Sequence, residues 1–155
     1  MSNKKLIARF FEGFKQRDLG KMLSCYHEDI IFSDPAFGIL RRNRVRAMWK
    51  MLCESAGDLQ IEYSSIDADE QGGKAKWEAW YTFSETDREV HNKIKSEFKF
   101  KDGLIIEHHD SFVLRKWAGQ AFGLRGKVIG GTSFFRKRIH GYTKKLLTQY
   151  VGKKK

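Results

Sequence analysis

At Asp58 the hydrophobic period of the chain changes from helical to alternating, and this one change does most to restrict the folds open to it. Before it, Leu6, Ile7, Phe10, Phe11 and Phe14 recur at helical spacing behind the polar start Ser2-Asn3. Asp18 is placed to cap a short second helix with Leu19, Met22, Leu23 and Tyr26 on its inner face. A third helix carries Val45, Met48, Trp49, Leu52, Cys53 and Ala56 on one side and closes at Gly57. After Asp58 come four alternating runs: Leu59, Ile61 and Tyr63; Ala75 to Phe83; Ile94, Ser96, Phe98 and Phe100; then Leu104, Ile106, His108, Asp110, Phe112 and Leu114. Gly72-Gly73, Ser84 to Arg88 and the strong hairpin signal Asp102-Gly103 separate them. Three amphipathic helices ahead of a curved antiparallel sheet predict an α+β domain in which the helices cover one sheet face. With 155 residues, 41% of them hydrophobic, the chain can build one real core.

Between the second and third helices lies Cys25-Tyr26-His27-Glu28-Asp29-Ile30-Ile31-Phe32-Ser33-Asp34-Pro35-Ala36-Phe37-Gly38, which holds the only proline. A strand from Asp29 to Asp34 is expected there. Pro35 pushes Asp34 toward extended backbone, so a carboxylate is held at the end of an apolar strand. Two readings stay open: a pocket carboxylate whose pKa rises on burial, or a turn cap. The arginines of Arg41-Arg42-Asn43-Arg44 read as a solvated helix entry.

On the last run, His108 and Asp110 interrupt an otherwise apolar face, and buried polar groups need partners. They are either a satisfied core pair or a pair aimed into a pocket. His109 should face the other way. Tyr26 and Tyr81 read first as core tyrosines with satisfied hydroxyls. His108, His109 and Asp110 cannot all converge from adjacent strand positions, so no metal is expected. No phosphate loop, nucleophile elbow or Ser/His/Asp arrangement is visible, and no cofactor is expected.

The net charge of +11 is unevenly placed: residues 1 to 114 carry 18 Lys/Arg against all 19 Asp/Glu, and residues 115 to 155 carry 12 Lys/Arg with no acid. This divides the chain into a neutral body, 1–114, and a basic helical extension, 115–155. In the extension Trp117, Ala121, Phe122 and Leu124 suggest one short helix broken by Gly126 and Gly130-Gly131. Thr132-Ser133 can cap a second, with Phe135, Ile139, Tyr142, Leu146 and Tyr150 on its apolar side. Docking on the domain is the first expectation for it, an anionic membrane surface the second, and nucleic acid is disfavoured for want of a reading module. Two cysteines without CxxC spacing, an N-terminal apolar run interrupted by Arg9 and Glu12, and no membrane-length window predict a reducing, cytoplasmic setting.

Taken together, Arg17-Asp18-Leu19, Tyr26-His27-Glu28-Asp29, Ser33-Asp34-Pro35-Ala36-Phe37-Gly38 and Lys101 to Asp110 resemble the nuclear-transport-factor-2-like superfamily over about residues 4 to 114, in the branch of ketosteroid isomerases and SnoaL-like polyketide cyclases. The resemblance implies a cone-shaped curved sheet, a deep apolar pocket and dimerisation through the sheet. Asp34 falls on the isomerase general base, with one residue more before the glycine. The isomerase oxyanion donors correspond to Phe10 and Ser96 here, so steroid isomerisation by that mechanism is not expected. Glu107-His108-His109-Asp110 looks like the cyclase acid/base motif with His109 in place of Trp. The catalytic candidates are therefore Asp110, Asp34 and His108, and the ligand-binding candidates Tyr26, Trp49, Trp77, Tyr81, Phe98, Phe10 and Ser96. The expected function is acid/base isomerisation, cyclisation or hydration of a small apolar carbonyl compound by a homodimer. The alternatives are a non-catalytic binding module of the same fold and a protein acting through its tail on an anionic membrane or a partner.

Overall fold

The computed structural model describes residues 1–153. Helix α1 (Asn3–Gln16) starts where Ser2 Oγ accepts the Lys5 N–H at 3.2 Å, and it ends at Arg17 in the left-handed region, φ 56°. Helix α2 (Leu19–Leu23) starts at Asp18, whose Oδ1 accepts the Lys21 N–H at 3.1 Å. The apolar stripe of α1, from Leu6 to Phe14, is buried. Helix α3 (Asn43–Glu54) buries Val45, Met48 and Trp49.

The strands are β1 (Tyr26–Asp34), β2 (Gly38–Arg41), β3 (Gln60–Ala68), β4 (Gly73–Phe83), β5 (Arg88–Lys101) and β6 (Leu104–Ser111). They form one curved, unclosed sheet in the order β2-β1-β6-β5-β4-β3. Every pairing is antiparallel except β1 with β6, which is parallel and puts Phe32 opposite His108. This junction sets the Asp34 strand beside the His108 strand, one position in from the β2 edge. β1 begins three residues earlier than expected. Strand β2 was not expected; it forms because Asp34 pairs with Gly38, whose φ of 71° closes the hairpin around Pro35.

The face expected of the last strand needs a correction. Pairing of β6 with β5 shifts between Lys99 and Phe100, skipping Ile106, so Ile105 rather than Ile106 is buried with His108 and Asp110. A β-bulge inserts one unpaired residue and exchanges the faces before it. Leu114, expected on the same strand face, instead opens a helix.

The extension forms α4 (Leu114–Phe122), α5 (Leu124–Ile129) and α6 (Ser133–Lys153); its terminal Lys154-Lys155 lie outside the described residues. A break falls at Gly130-Gly131 as expected, but the one expected at Gly126 falls at Gly123 instead. Gly126 sits inside α5, against α4, where a Cβ would come within 1.9 Å of the Ala118 carbonyl oxygen. Thr132 caps α6 as expected, its Oγ1 accepting the Phe135 N–H at 3.2 Å. The buried stripe of α6 is Phe135, Ile139, Thr143 and Leu147; Tyr142 and Leu146 are exposed, so the expected face is turned by one position. The turn has a cause on β1's far side: Thr143 Oγ1 donates to the Ala36 carbonyl at 2.8 Å, and His140 Nε2 lies 2.8 Å from the Pro35 carbonyl. Leu147 is fully buried in the core that holds Phe10, Tyr26 and Trp49. Phe135, Ile139, Trp117 and Leu114 build a second core with Val90 of β5.

Candidate functional site

The site is a buried hydrogen-bonded chain behind a cavity at the sheet end. Alternation on β6 turns His108 and Asp110 inward, and β5 supplies Ser96 opposite Asp110. His108 Nδ1 lies 2.7 Å from the Tyr26 hydroxyl, which also accepts the Trp49 indole N–H at 2.9 Å. His108 Nε2 lies 2.8 Å from Asp110 Oδ1. The same oxygen accepts the Ser96 hydroxyl, and Ser96 Oγ accepts the Trp77 indole N–H at 2.9 Å. An indole is a donor only, so the proton directions follow from both ends. Trp49 donates to Tyr26, Tyr26 to Nδ1, and Nε2–H to Asp110; Trp77 donates to Ser96 and Ser96 to Asp110. The arrangement assigns a neutral His108 protonated on Nε2 and makes the Asp110 carboxylate the sink of both arms. Burial, with the Asp110 charge second, pushes the Tyr26 phenol well above its ordinary pKa, so it stays a donor.

The imidazole of His108 is enclosed by rings. Phe98, Phe32, Phe10, Tyr26 and Trp49 have centroids 4.6, 5.2, 5.3, 6.0 and 6.1 Å from it. Aromatic side chains of the core thus fill the space between helices and sheet.

The cavity, about 510 Å³, opens instead at the end of β1 and β6, between the Asp34-Pro35 turn, the start of α4 and the start of α6. Pro35, Phe112, Val113 and Leu114 give it apolar walls; Asp34, Arg115, Arg136 and His140 give it charge and hydrogen-bonding groups. Asp34 has both of the roles left open by the sequence. Its Oδ1 accepts the Ala36 and Phe37 N–H groups at 2.8 and 2.5 Å, an Asx cap of the turn. Its Oδ2 has no protein donor among the described residues. Burial pushes the carboxyl up to about 7, the Asp110 charge adds to this, and the two backbone donors oppose it. The residue as a whole is half-buried. Tyr81 accepts the Trp117 indole N–H at 2.7 Å, and its phenol is raised by burial and then by the charge of Asp34.

Of the ten residues singled out from the sequence, the structure brings Asp110, His108, Tyr26, Trp49, Trp77 and Ser96 into the hydrogen-bonded chain, with Phe10 and Phe98 packed on His108. Only Asp34 lines the cavity; Tyr81 lies toward the second core. His109 faces away and meets Ser33 and Glu107. Among the described residues no three His, Cys, Asp or Glu side chains converge as a metal site. Arg136 and His140 were missed as site residues. Their spacing of four on a helix, which puts both on one face, was the signal available.

A family model described as the SnoaL-like domain matches residues 7–108, and the chain belongs to that family. No curated protein matches the sequence. Among solved structures, an NTF2-like protein of unknown function from Burkholderia pseudomallei is similar at 14% identity and TM-score 0.66, covering 79% of this chain and 99% of its own. AclR from Streptomyces galilaeus is 19% identical at TM-score 0.65, over 87% and 96% of the two chains. An LEH-like epoxide hydrolase of M. tuberculosis is 16% identical at TM-score 0.62, over 82% and 94%. At such identities the likeness is one of fold. These neighbours share the cone.

Proposed function

We propose that the protein is an acid/base enzyme that moves a proton next to the carbonyl of a small, largely apolar compound, with Asp34 as the base. The observation that carries this reading is the placement of Asp34: one oxygen holds the turn, the other has no protein donor among the described residues, and the residue lines a partly apolar cavity. A carboxyl near 7 takes a proton and returns it at neutral pH. In the forward step Asp34 Oδ2 takes the α-proton, the C–H pair moves into the enolate, and the oxyanion is met by the Arg136 or Arg115 guanidinium, whose residues line the same cavity. Return of the proton to another carbon completes an isomerisation. Asp110 acts on this step through its charge, which raises Asp34, and the hydrogen bonds from His108 and Ser96 hold that charge in place.

The test needs no knowledge of the physiological substrate. β-Tetralone in deuterated buffer is to be followed by NMR for exchange at its α-carbon. The wild type should accelerate exchange over buffer, Asp34→Asn should abolish the acceleration, and Asp110→Asn should shift its pH profile. Equal exchange by the wild type and Asp34→Asn would remove the proposal. A non-catalytic binding module is the second reading, favoured by the ring-filled interior, where no buried side-chain polar atom lacks a partner among the described residues. It predicts that β-tetralone is bound without exchange.

A further inference from the structure

Helix α5 is built inside out. Its small residues face the protein and its large apolar ones face solvent. Gly126 and Gly130 press on Ala118 of α4, where added Cβ atoms would approach its carbonyl oxygen and its Cβ to 1.9 and 2.7 Å. At about 100° per residue, Leu124 and Val128 fall on the opposite side of the helix. They are 77% and 69% exposed, and just beyond them Ile129 is 41% and Phe134, at the start of α6, 64% exposed. The close glycine contact leaves α5 no freedom to roll these side chains inward. Four large apolar side chains exposed between residues 124 and 134, two of them held outward by backbone packing, are unlike the scattered exposed leucine of an ordinary surface.

Its surroundings specify a partner. Arg125 and Lys127 flank the apolar side of α5, Arg138 lies over the Phe134 ring at 5.7 Å, and residues 115 to 155 contain no acid at all. A second copy of this chain would bring the same charge to the contact. The exposed apolar side chains are also only Leu124, Val128, Ile129 and Phe134, whereas a stable protein interface takes about 20–30 residues on each partner. Exposed apolar side chains flanked by cations fit the boundary between acyl chains and anionic headgroups. No described helix is long and apolar enough to cross a membrane, so the contact is one of lying on the surface.

We propose that the α5–α6 corner docks the protein on anionic lipid bilayers, with Leu124, Val128 and Phe134 entering the acyl boundary and Arg125, Lys127 and Arg138 engaging the headgroups. The proposal is independent of the role given to Asp34.

The full chain is to be sedimented with vesicles of phosphatidylcholine alone and of phosphatidylcholine mixed with phosphatidylglycerol. Binding should require phosphatidylglycerol and weaken with added salt. The double variant Leu124→Ser, Val128→Ser should lower the partition coefficient by about tenfold or more, because two aliphatic side chains no longer leave water. Arg125→Gln with Lys127→Gln should weaken it as well. Melting temperatures of these variants should match the wild type, since the side chains are exposed. Absence of binding to the mixed vesicles overturns the proposal. So does binding that the serine pair leaves intact, which would mark a general polyanion contact. Self-association of the wild type lost in the serine pair, without vesicle binding, would assign the corner to a second copy and overturn it too.

Discussion

His108 Nε2 lies 2.8 Å from Asp110 Oδ1, with the imidazole at 0% exposure and the carboxylate side chain at 3%. A buried charge of this kind persists only if its hydrogen bonds are complete. Here two arms of donors, each beginning at an indole, end on one carboxylate oxygen. The charge so held lies close enough to Asp34 to raise its carboxyl, which couples a sealed network to an open cavity.

Tyr26→Phe should test whether the arms work as units. Phenylalanine keeps the stacking of this ring on Phe10 at 5.1 Å, so the loss is polar. It leaves the Trp49 N–H and His108 Nδ1 without partners in the dry interior. Each buried orphan costs about 1–3 kcal/mol, so unfolding free energy by urea titration should fall by about 2–6 kcal/mol. A change under about 0.5 kcal/mol would mean that the hydroxyl holds nothing in place.

Asp34 should impose a pH dependence of an unusual sign on stability. Its folded pKa of about 7 lies above the ordinary carboxylate value of 3.8, so between these pH values the folded state binds more protons than the unfolded chain. Stability from this group is therefore present below about pH 4 and is lost as pH rises to about 7. Asp34→Asn keeps an Oδ1 to accept the Ala36 and Phe37 N–H groups but removes the titration. Urea midpoints measured from pH 4 to 8 should fall less steeply with pH in the variant, and at pH 8 the variant should be the more stable form. Parallel pH profiles for the two proteins would contradict the raised carboxyl.

The sequence was most legible where one period ran undisturbed. The α1 stripe from Leu6 to Phe14, the Asp18 cap and the alternation of β4 and β5 needed no tertiary information. Three features were not readable. The Ile106 bulge leaves no mark in composition, yet it decides which side chains join His108. Strand β2 is only four residues long, too short to show a period, and it exists because of its pairing with β1. Trp49 and Trp77 were marked as ligand-facing rings, but their indole N–H groups are spent on Tyr26 and Ser96, a fact that spacing cannot reveal.

The α6 stripe offers a sharp comparison between neighbours. Leu147 is fully buried in the main core, and Leu146 beside it is 37% exposed. Leu147→Ala should destabilise by about 2–5 kcal/mol, the range for emptying a buried leucine site. Leu146→Ala should stay within about 0.5 kcal/mol, as surface changes do. Thermal or urea unfolding of the full chain reads both. The reverse ranking would restore the face that contains Tyr142 and Leu146, and would release the Thr143 bond to Ala36 that closes α6 over the Asp34 turn.

Two glycines in the extension should respond to alanine in opposite directions. Gly141 lies within α6 with nothing inside 4 Å of an added Cβ, so Gly141→Ala should gain about 0.5–1 kcal/mol from lower chain entropy in the unfolded state. At Gly126 the same methyl would meet the Ala118 carbonyl oxygen at 1.9 Å, a backbone atom that cannot swing aside. Gly126→Ala should therefore cost about 3 kcal/mol or more, or lift α5 from α4. The two outcomes differ in hydrogen exchange. Strain taken up in place lowers protection throughout the chain, whereas displacement of α5 exposes amides from Gly123 to Gly130 alone. Displacement also moves Gly130 and Gly131, which line the cavity facing Asp34, so it should alter β-tetralone exchange as well as stability. Unchanged stability and unchanged exchange in Gly126→Ala would mean that α5 is not seated on α4, and would remove the packing that turns Leu124 and Val128 outward.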